Sequence, residues 1–103
     1  MTARVDGSGV LPSGTVTFLF TDVEGSTRLW AADVEAMSAS LLVHDAILRT
    51  AIEGNGGYVF TTAGDSFAAA FGRASDAVRA ATESQLALSG ASWPGPSLKG
   101  DDV

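Results

Sequence analysis

Cysteine is missing altogether from the 103 residues, which excludes disulfides and thiolate metal sites. Basic side chains are scarce too. Six Lys and Arg stand against twelve Asp and Glu, giving a net charge of −6. The six are scattered, so nothing reads as a basic groove for DNA or RNA. No apolar run approaches the roughly 18 residues that a membrane-spanning helix needs. Residues 1–13 contain Gly, Ser and Pro but no apolar signal-peptide core, so a cytoplasmic setting is the default expectation. Large core-forming side chains are few, because Ala and Gly supply much of the apolar composition. What remains is a globular composition, 46% hydrophobic and 17% charged, sized for one small domain with a modest core.

The strand and helix signals fall in a clear order. Residues 1–14 read as a flexible leader broken by Gly7, Gly9, Pro12 and Gly14. Thr15–Thr21 alternates with the period of a pleated strand, and Leu19 adds apolar character to its second face. That pattern predicts a central strand covered on at least one side. Gly25 permits a turn after it, with Ser26 or Thr27 as caps for a short helix through Leu29 and Trp30. A long helix is expected over 33–53, capped by Asp33. Its stripe is Met37, Leu41, Leu48 and Ile52, widened by Leu42 and Ile47. Gly54-Asn55-Gly56-Gly57 ends it.

Tyr58–Thr62 and Ser66–Phe71 read as a hairpin around Ala63-Gly64-Asp65. A last helix, capped by Ser75 or Asp76, runs to about Leu88 with Ala77, Val78, Ala81, Gln85 and Leu88 at helical spacing. Residues 91–103 form an irregular tail. The order strand, helix, helix, strand, strand, helix is an α+β pattern with an antiparallel sheet and helices on one face. It resembles an incomplete ferredoxin-like arrangement, which needs a further strand after the last helix.

Asp22 closes the first strand, and Asp65 sits in the hairpin turn. With the first strand beside the hairpin, both carboxylates reach one edge of the sheet. Two carboxylates with room for phosphate oxygens suit Mg²⁺ or Mn²⁺. Such an ion also reconciles an acidic chain with a nucleotide ligand. The stretch Val23–Thr27 adds backbone N–H groups at a helix start, a natural place for phosphate. Capping and turn formation are the plainer explanation of both aspartates. His44 falls on the apolar side of the long helix and is expected to be packed and hydrogen-bonded, not catalytic.

The strings GTVTFLFTDVEGSTRLW, HDAILR, GGYVFTTAGDSFAAAF and DAVRAA, in that order, resemble the bacterial class III adenylate/guanylate cyclase catalytic domain over about residues 14–88. The resemblance implies a partial catalytic domain over 15–90, ferredoxin-like in its cyclase-homology fold. It implies conversion of ATP, ahead of GTP, to the 3′,5′-cyclic nucleotide plus pyrophosphate with two divalent ions. Asp22 and Asp65 then match the two metal-binding aspartates, and Val23 the position whose backbone carbonyl joins them. Glu24, Gly25, Ser26 and Thr27 match the loop that cradles phosphate through backbone amides. Family sites form between two subunits, so a homodimer or a heterodimer with another cyclase domain is implied.

Two departures stand beside the match. Thr61 lies where purine-selecting cyclases usually carry a base-reading lysine. The family's second-half Asn and Arg have no counterpart after Trp93, and Arg28, Arg49, Arg73 and Arg79 do not stand at the matching position. Without that Arg, charge stabilisation on the phosphoryl group is lost, so residues 1–103 alone are expected to be inactive. An inactive fragment, or a regulatory module pairing with an intact cyclase, is therefore the alternative to an active enzyme.

Overall fold

A computed structural model describes residues 1–11 and 14–99. Seven elements follow in chain order: β1 (Thr2–Leu11), β2 (Gly14–Asp22), α1 (Ser26–Ala32), α2 (Val34–Gly54), β3 (Tyr58–Ala63), β4 (Ser66–Phe71) and α3 (Ala74–Gly90). The strands form one antiparallel sheet in the order β1-β2-β4-β3. This is the expected α+β architecture, with one correction at its start. Residues 2–11 are not a loose leader but an edge strand, pairing Thr2 with Asp22 and Val5 with Leu19. β2 is thereby bonded on both sides. Residues 12–13 of the expected leader and 100–103 of the expected tail lie outside the described residues.

The helices cover one face of the sheet. Leu19 of β2 and Phe67, Ala69 and Phe71 of β4 pack with Leu48 and Ile52 of α2 and Ala77, Ala80 and Leu88 of α3. The small side chains Ala69, Ala77 and Ala80 are buried between α3 and the sheet, so helix and strand approach closely. Each fully buried Leu, Ile or Phe here contributes about 1.5–3 kcal/mol by leaving water. In β2 the covered positions are Thr17, Leu19 and Thr21, whereas Phe18 and Phe20 stay half-exposed on the other face. Alternation in the strand was legible, but the more apolar face is the one left uncovered.

α2 starts as expected, with the Asp33 side chain accepting from Ala36 N at 3.0 Å. Met37, Leu48 and Ile52 of its stripe are buried, but Leu42 is 74% exposed and does not widen it. α3 starts two or three residues earlier than expected, with Arg73 and not Ser75 or Asp76 at its N-cap and without a side-chain cap. Its buried face is Ala77, Ala80, Ser84 and Leu88, while Val78 is exposed. After α3 the chain has no helix or strand through Lys99, yet it packs closely. Leu98 is buried with Val23 and Met37 in a second small core, and Trp93 touches both cores.

Candidate metal and phosphate site

β2 and β4 set the geometry. Thr21 pairs with Phe67 across the two strands, so the next step along the ladder sets Asp22 opposite Ser66. Ser66 Oγ donates to Asp22 Oδ1 at 3.1 Å, and Val23 N donates to the same oxygen at 3.0 Å. Asp65 immediately precedes Ser66, in a turn that Gly64 makes with φ +60°. That backbone region is costly for other residues, so the glycine fixes where Asp65 stands. The topology thus brings Asp22 and Asp65 to one end of the sheet from positions far apart in the chain.

The two carboxylates differ in surroundings. Asp22 is exposed, and Asp65 is half-buried. Asp65 Oδ2 is sealed from solvent with no hydrogen-bond partner among the described residues. A buried oxygen without a donor costs about 1–3 kcal/mol, more if it carries charge, and so calls for an explanation. A divalent cation at this end of the sheet would supply one. Among the described residues no group of three or more His, Cys, Asp or Glu is placed to hold a metal. The protein's share would be two carboxylates and the adjacent Val23 carbonyl, with phosphate oxygens or water completing the shell. This donor set fits Mg²⁺ or Mn²⁺, which favour oxygen and commonly retain ligands from outside the protein.

The loop after Asp22 turns at Gly25, whose φ is +68°. Gly25, not Ser26 or Thr27, occupies the N-cap of α1, and it has no side chain to satisfy the first-turn amides. Arg28 folds back over this turn, with a guanidinium nitrogen 3.3 Å from where a Cβ on Gly25 would lie. Glu24 accepts a hydrogen bond from Thr2 Oγ1, which ties the loop to β1. Val23 is buried beneath, against Met37 and Leu98. A cavity of about 330 Å³ adjoins the loop.

Thr61 lies on β3, the strand beside β4. A register shift between Val59 and Thr61 makes Phe60 an extra residue, so Val59 pairs with buried Ala69 and Thr61 with Ala68. Phe60 and Thr61 both fall on the side away from the helices. There the Phe60 ring meets Phe18 at 5.9 Å, Phe18 meets Phe20 at 6.2 Å, and Arg4 lies 5.1 Å from the Phe20 ring centre.

Residues 10–92 match the family described as the Adenylate and Guanylate cyclase catalytic domain. The chain belongs to this family. It is 39% identical over 83 residues to an adenylate cyclase of Lachancea kluyveri, covering 81% of this chain and 4% of the relative. It is 45% identical over 83 residues to an uncharacterised protein of Mycobacterium tuberculosis, covering 79% of this chain and 29% of that one. A solved adenylate cyclase of Trypanosoma brucei in its monomeric state superposes with a TM-score of 0.77 at 36% identity. That superposition covers 84% of this chain and 37% of the other. The chain therefore spans well under half the length of these relatives, and its fold is part of the cyclase domain.

Two residues of this cyclase domain went unsuspected. Ser66 follows Asp65 and reaches Asp22 across the ladder; its signal was its place opposite the end of β2. Arg28 does not stand at the position of the family's second-half Arg, yet it lies three residues after Gly25, one helical turn away. His44 is fully buried, as expected, with Nδ1 2.9 Å from Asp45 Oδ1 and its ring 6.2 Å from that of Phe67. It has no surface through which to touch a ligand. No helix among the described residues is long and apolar enough to cross a membrane.

Proposed function

We propose that residues 1–103 supply the metal- and phosphate-binding half of a nucleotidyl cyclase site, converting ATP, ahead of GTP, to the 3′,5′-cyclic nucleotide and pyrophosphate. The observation that carries this reading is the Ser66–Asp22 hydrogen bond together with the orphaned Asp65 oxygen. Asp22, the Val23 carbonyl and Asp65 hold the divalent ions. Bound there, the pair of ions would activate the ribose 3′-hydroxyl and steady the triphosphate. Ser66 is a positioning residue: it fixes the Asp22 carboxylate through Oδ1. Glu24–Thr27 receives phosphate on backbone amides, aided by the turn at Gly25 that keeps side-chain bulk away. Thr61, a neutral hydroxyl on the uncovered sheet face, cannot supply the cation with which a lysine would read the base.

The uncovered face supports a two-subunit site. Phe18, Phe20 and Phe60 form a connected aromatic row that no helix covers, beside the 70% exposed Tyr58. A second cyclase domain, of the same or another chain, would bury this row and bring its own charge-stabilising residues to Asp22 and Asp65. The same face favours the second reading, a regulatory module that pairs with an intact cyclase and has no turnover of its own.

Calorimetric titration with Mn²⁺, with and without ATP, tests the metal assignment. Residues 1–103 are expected to bind Mn²⁺ more tightly with ATP present, and Asp22→Asn or Asp65→Asn to lose that gain. Equal affinity in wild type and both variants would refute the site. Turnover by residues 1–103 alone is expected to be unmeasurable. Addition of an intact cyclase domain separates the readings: new Asp22-dependent turnover marks a shared site, and a changed rate insensitive to Asp22→Asn marks a regulatory module.

A further inference from the structure

Val23 joins the end of β2 to a core that the tail completes. Its N–H donates to Asp22 Oδ1 at 3.0 Å, and its side chain is buried. The residues after it have little hold of their own. Gly25 offers no side chain to cap α1, and α1 has no fully buried residue. Leu29 and Trp30 are half-buried and pack against the same small core as Val23. The buried members of that core are Val23, Met37 of α2 and Leu98 of the tail. Without Leu98, Val23 would have only Met37 as a fully buried companion.

The tail is itself held firmly, although it has no helix or strand through Lys99. Leu98 is 1% exposed. The Lys99 carbonyl accepts from Gln85 Nε2 of α3 at 2.7 Å. Trp93 packs against both cores. Gly95 lies so close to α2 that a Cβ there would stand 2.3 Å from the Ala36 carbonyl oxygen. That oxygen belongs to the first turn of a 21-residue helix, so it cannot swing aside as a side-chain end would. α2 and α3 thus hold the tail, and the tail holds the core under Val23. A cavity of about 330 Å³ also opens between loop and tail, so close packing does not fix the loop on that side.

We propose that residues 91–99 are a strap that positions Val23, with Leu98 as the positioning residue. Holding the Val23 side chain fixes the backbone on both sides of it. One side is the N–H that orients the Asp22 carboxylate; the other is the carbonyl assigned to the divalent ions. Leu98 itself touches neither ion nor nucleotide. The consequence for metal binding rests on the proposed site, whereas the hold on the loop rests on packing alone. Removing the Leu98 side chain leaves a space under Val23 into which a lightly anchored loop relaxes. The loop then opens locally while the main core stays closed.

Amide hydrogen exchange in residues 1–103, paired with Mn²⁺ titration in the presence of ATP, tests the strap. The reporters are the Val23 and Leu29 amides, which bond to Asp22 Oδ1 and the Gly25 carbonyl. Leu98→Ala is expected to speed their exchange about tenfold or more and to leave the Leu48 and Ala69 amides at wild-type rates. Mn²⁺ affinity should fall about tenfold, as it does when a residue that orients a metal ligand is lost. Leu98→Met refills the core and should restore both. Gly95→Ala removes no apolar contact but drives the tail off α2, and it should reproduce the pattern of Leu98→Ala. Unchanged exchange at Val23 and Leu29 in both Ala variants, or exchange raised equally at Leu48 and Ala69, would overturn the strap. Faster loop exchange with undiminished Mn²⁺ affinity would overturn the positioning role. A wild type that binds no Mn²⁺ removes the metal reading alone, and exchange at Val23 and Leu29 still decides whether the tail holds the loop.

Discussion

The two faces of the sheet are built from the same strands and meet opposite fates. Toward the helices, Leu19, Phe67, Ala69 and Phe71 are buried almost completely by α2 and α3. Away from them, Phe18, Phe20, Phe60 and Tyr58 remain partly or largely exposed. The covered face closes within the described residues and accounts for the fold. The open face carries the aromatic row and the Thr61 position, and at the end of β2 and β4 stand Asp22 and Asp65, the latter with an oxygen that has no hydrogen-bond partner among the described residues. The core thus lies on one side of the sheet and the face proposed for pairing on the other, and substitutions on the two sides should be read by different measurements.

The strongest contrast should come from the covered side. Leu48→Ala removes a fully buried side chain from the α2–sheet contact. It is expected to cost about 2–5 kcal/mol in urea unfolding, enough to unfold a large share of a small domain. A cost below about 1 kcal/mol would mean that this face is not the core. On the open side, Phe18→Ser with Phe60→Ser should change unfolding little. The same pair should weaken association with a second cyclase domain about tenfold or more, measured by sedimentation, because buried aromatic anchors dominate such contacts. Equal association in the variant would detach the aromatic row from dimer formation.

A smaller effect sharpens the covered side. Thr21 is buried toward the helices, and its hydroxyl has no partner among the described residues. Thr21→Val keeps the shape and removes the unsatisfied group, so it is expected to be neutral or stabilising by up to about 1 kcal/mol. Marked destabilisation would reveal a hydrogen-bonding role for that hydroxyl.

Much of this division could be read from residue order. Asp33 as a cap, the breaker run at Asn55, the Ser66–Phe71 strand and the burial of His44 follow from local chemistry, and each is seen. The convergence of Asp22 and Asp65 was an expectation conditional on β2 lying beside β4, which the sheet order supplies. What escaped needed partners distant in sequence. Residues 2–11, broken at Gly7 and Gly9, show no strand period of their own and become a strand by pairing with β2. The bulge at Phe60 turns Thr61 to the open face, and no alternation pattern marks it. Leu98 and Lys99, in a stretch of Pro and Gly, gain their place from a contact with Val23 and a bond from Gln85. Periodicity encodes an element's own face, not which neighbour will cover it.

The most direct measurement of the central claim is paramagnetic broadening of backbone amide signals by substoichiometric Mn²⁺ in the presence of ATP. Ions held by both carboxylates should broaden residues 21–25 and 64–66 together, and leave the middle of α2 sharp. Broadening confined to one of those two segments, or spread evenly over the acidic surface, would contradict a site shared by Asp22 and Asp65.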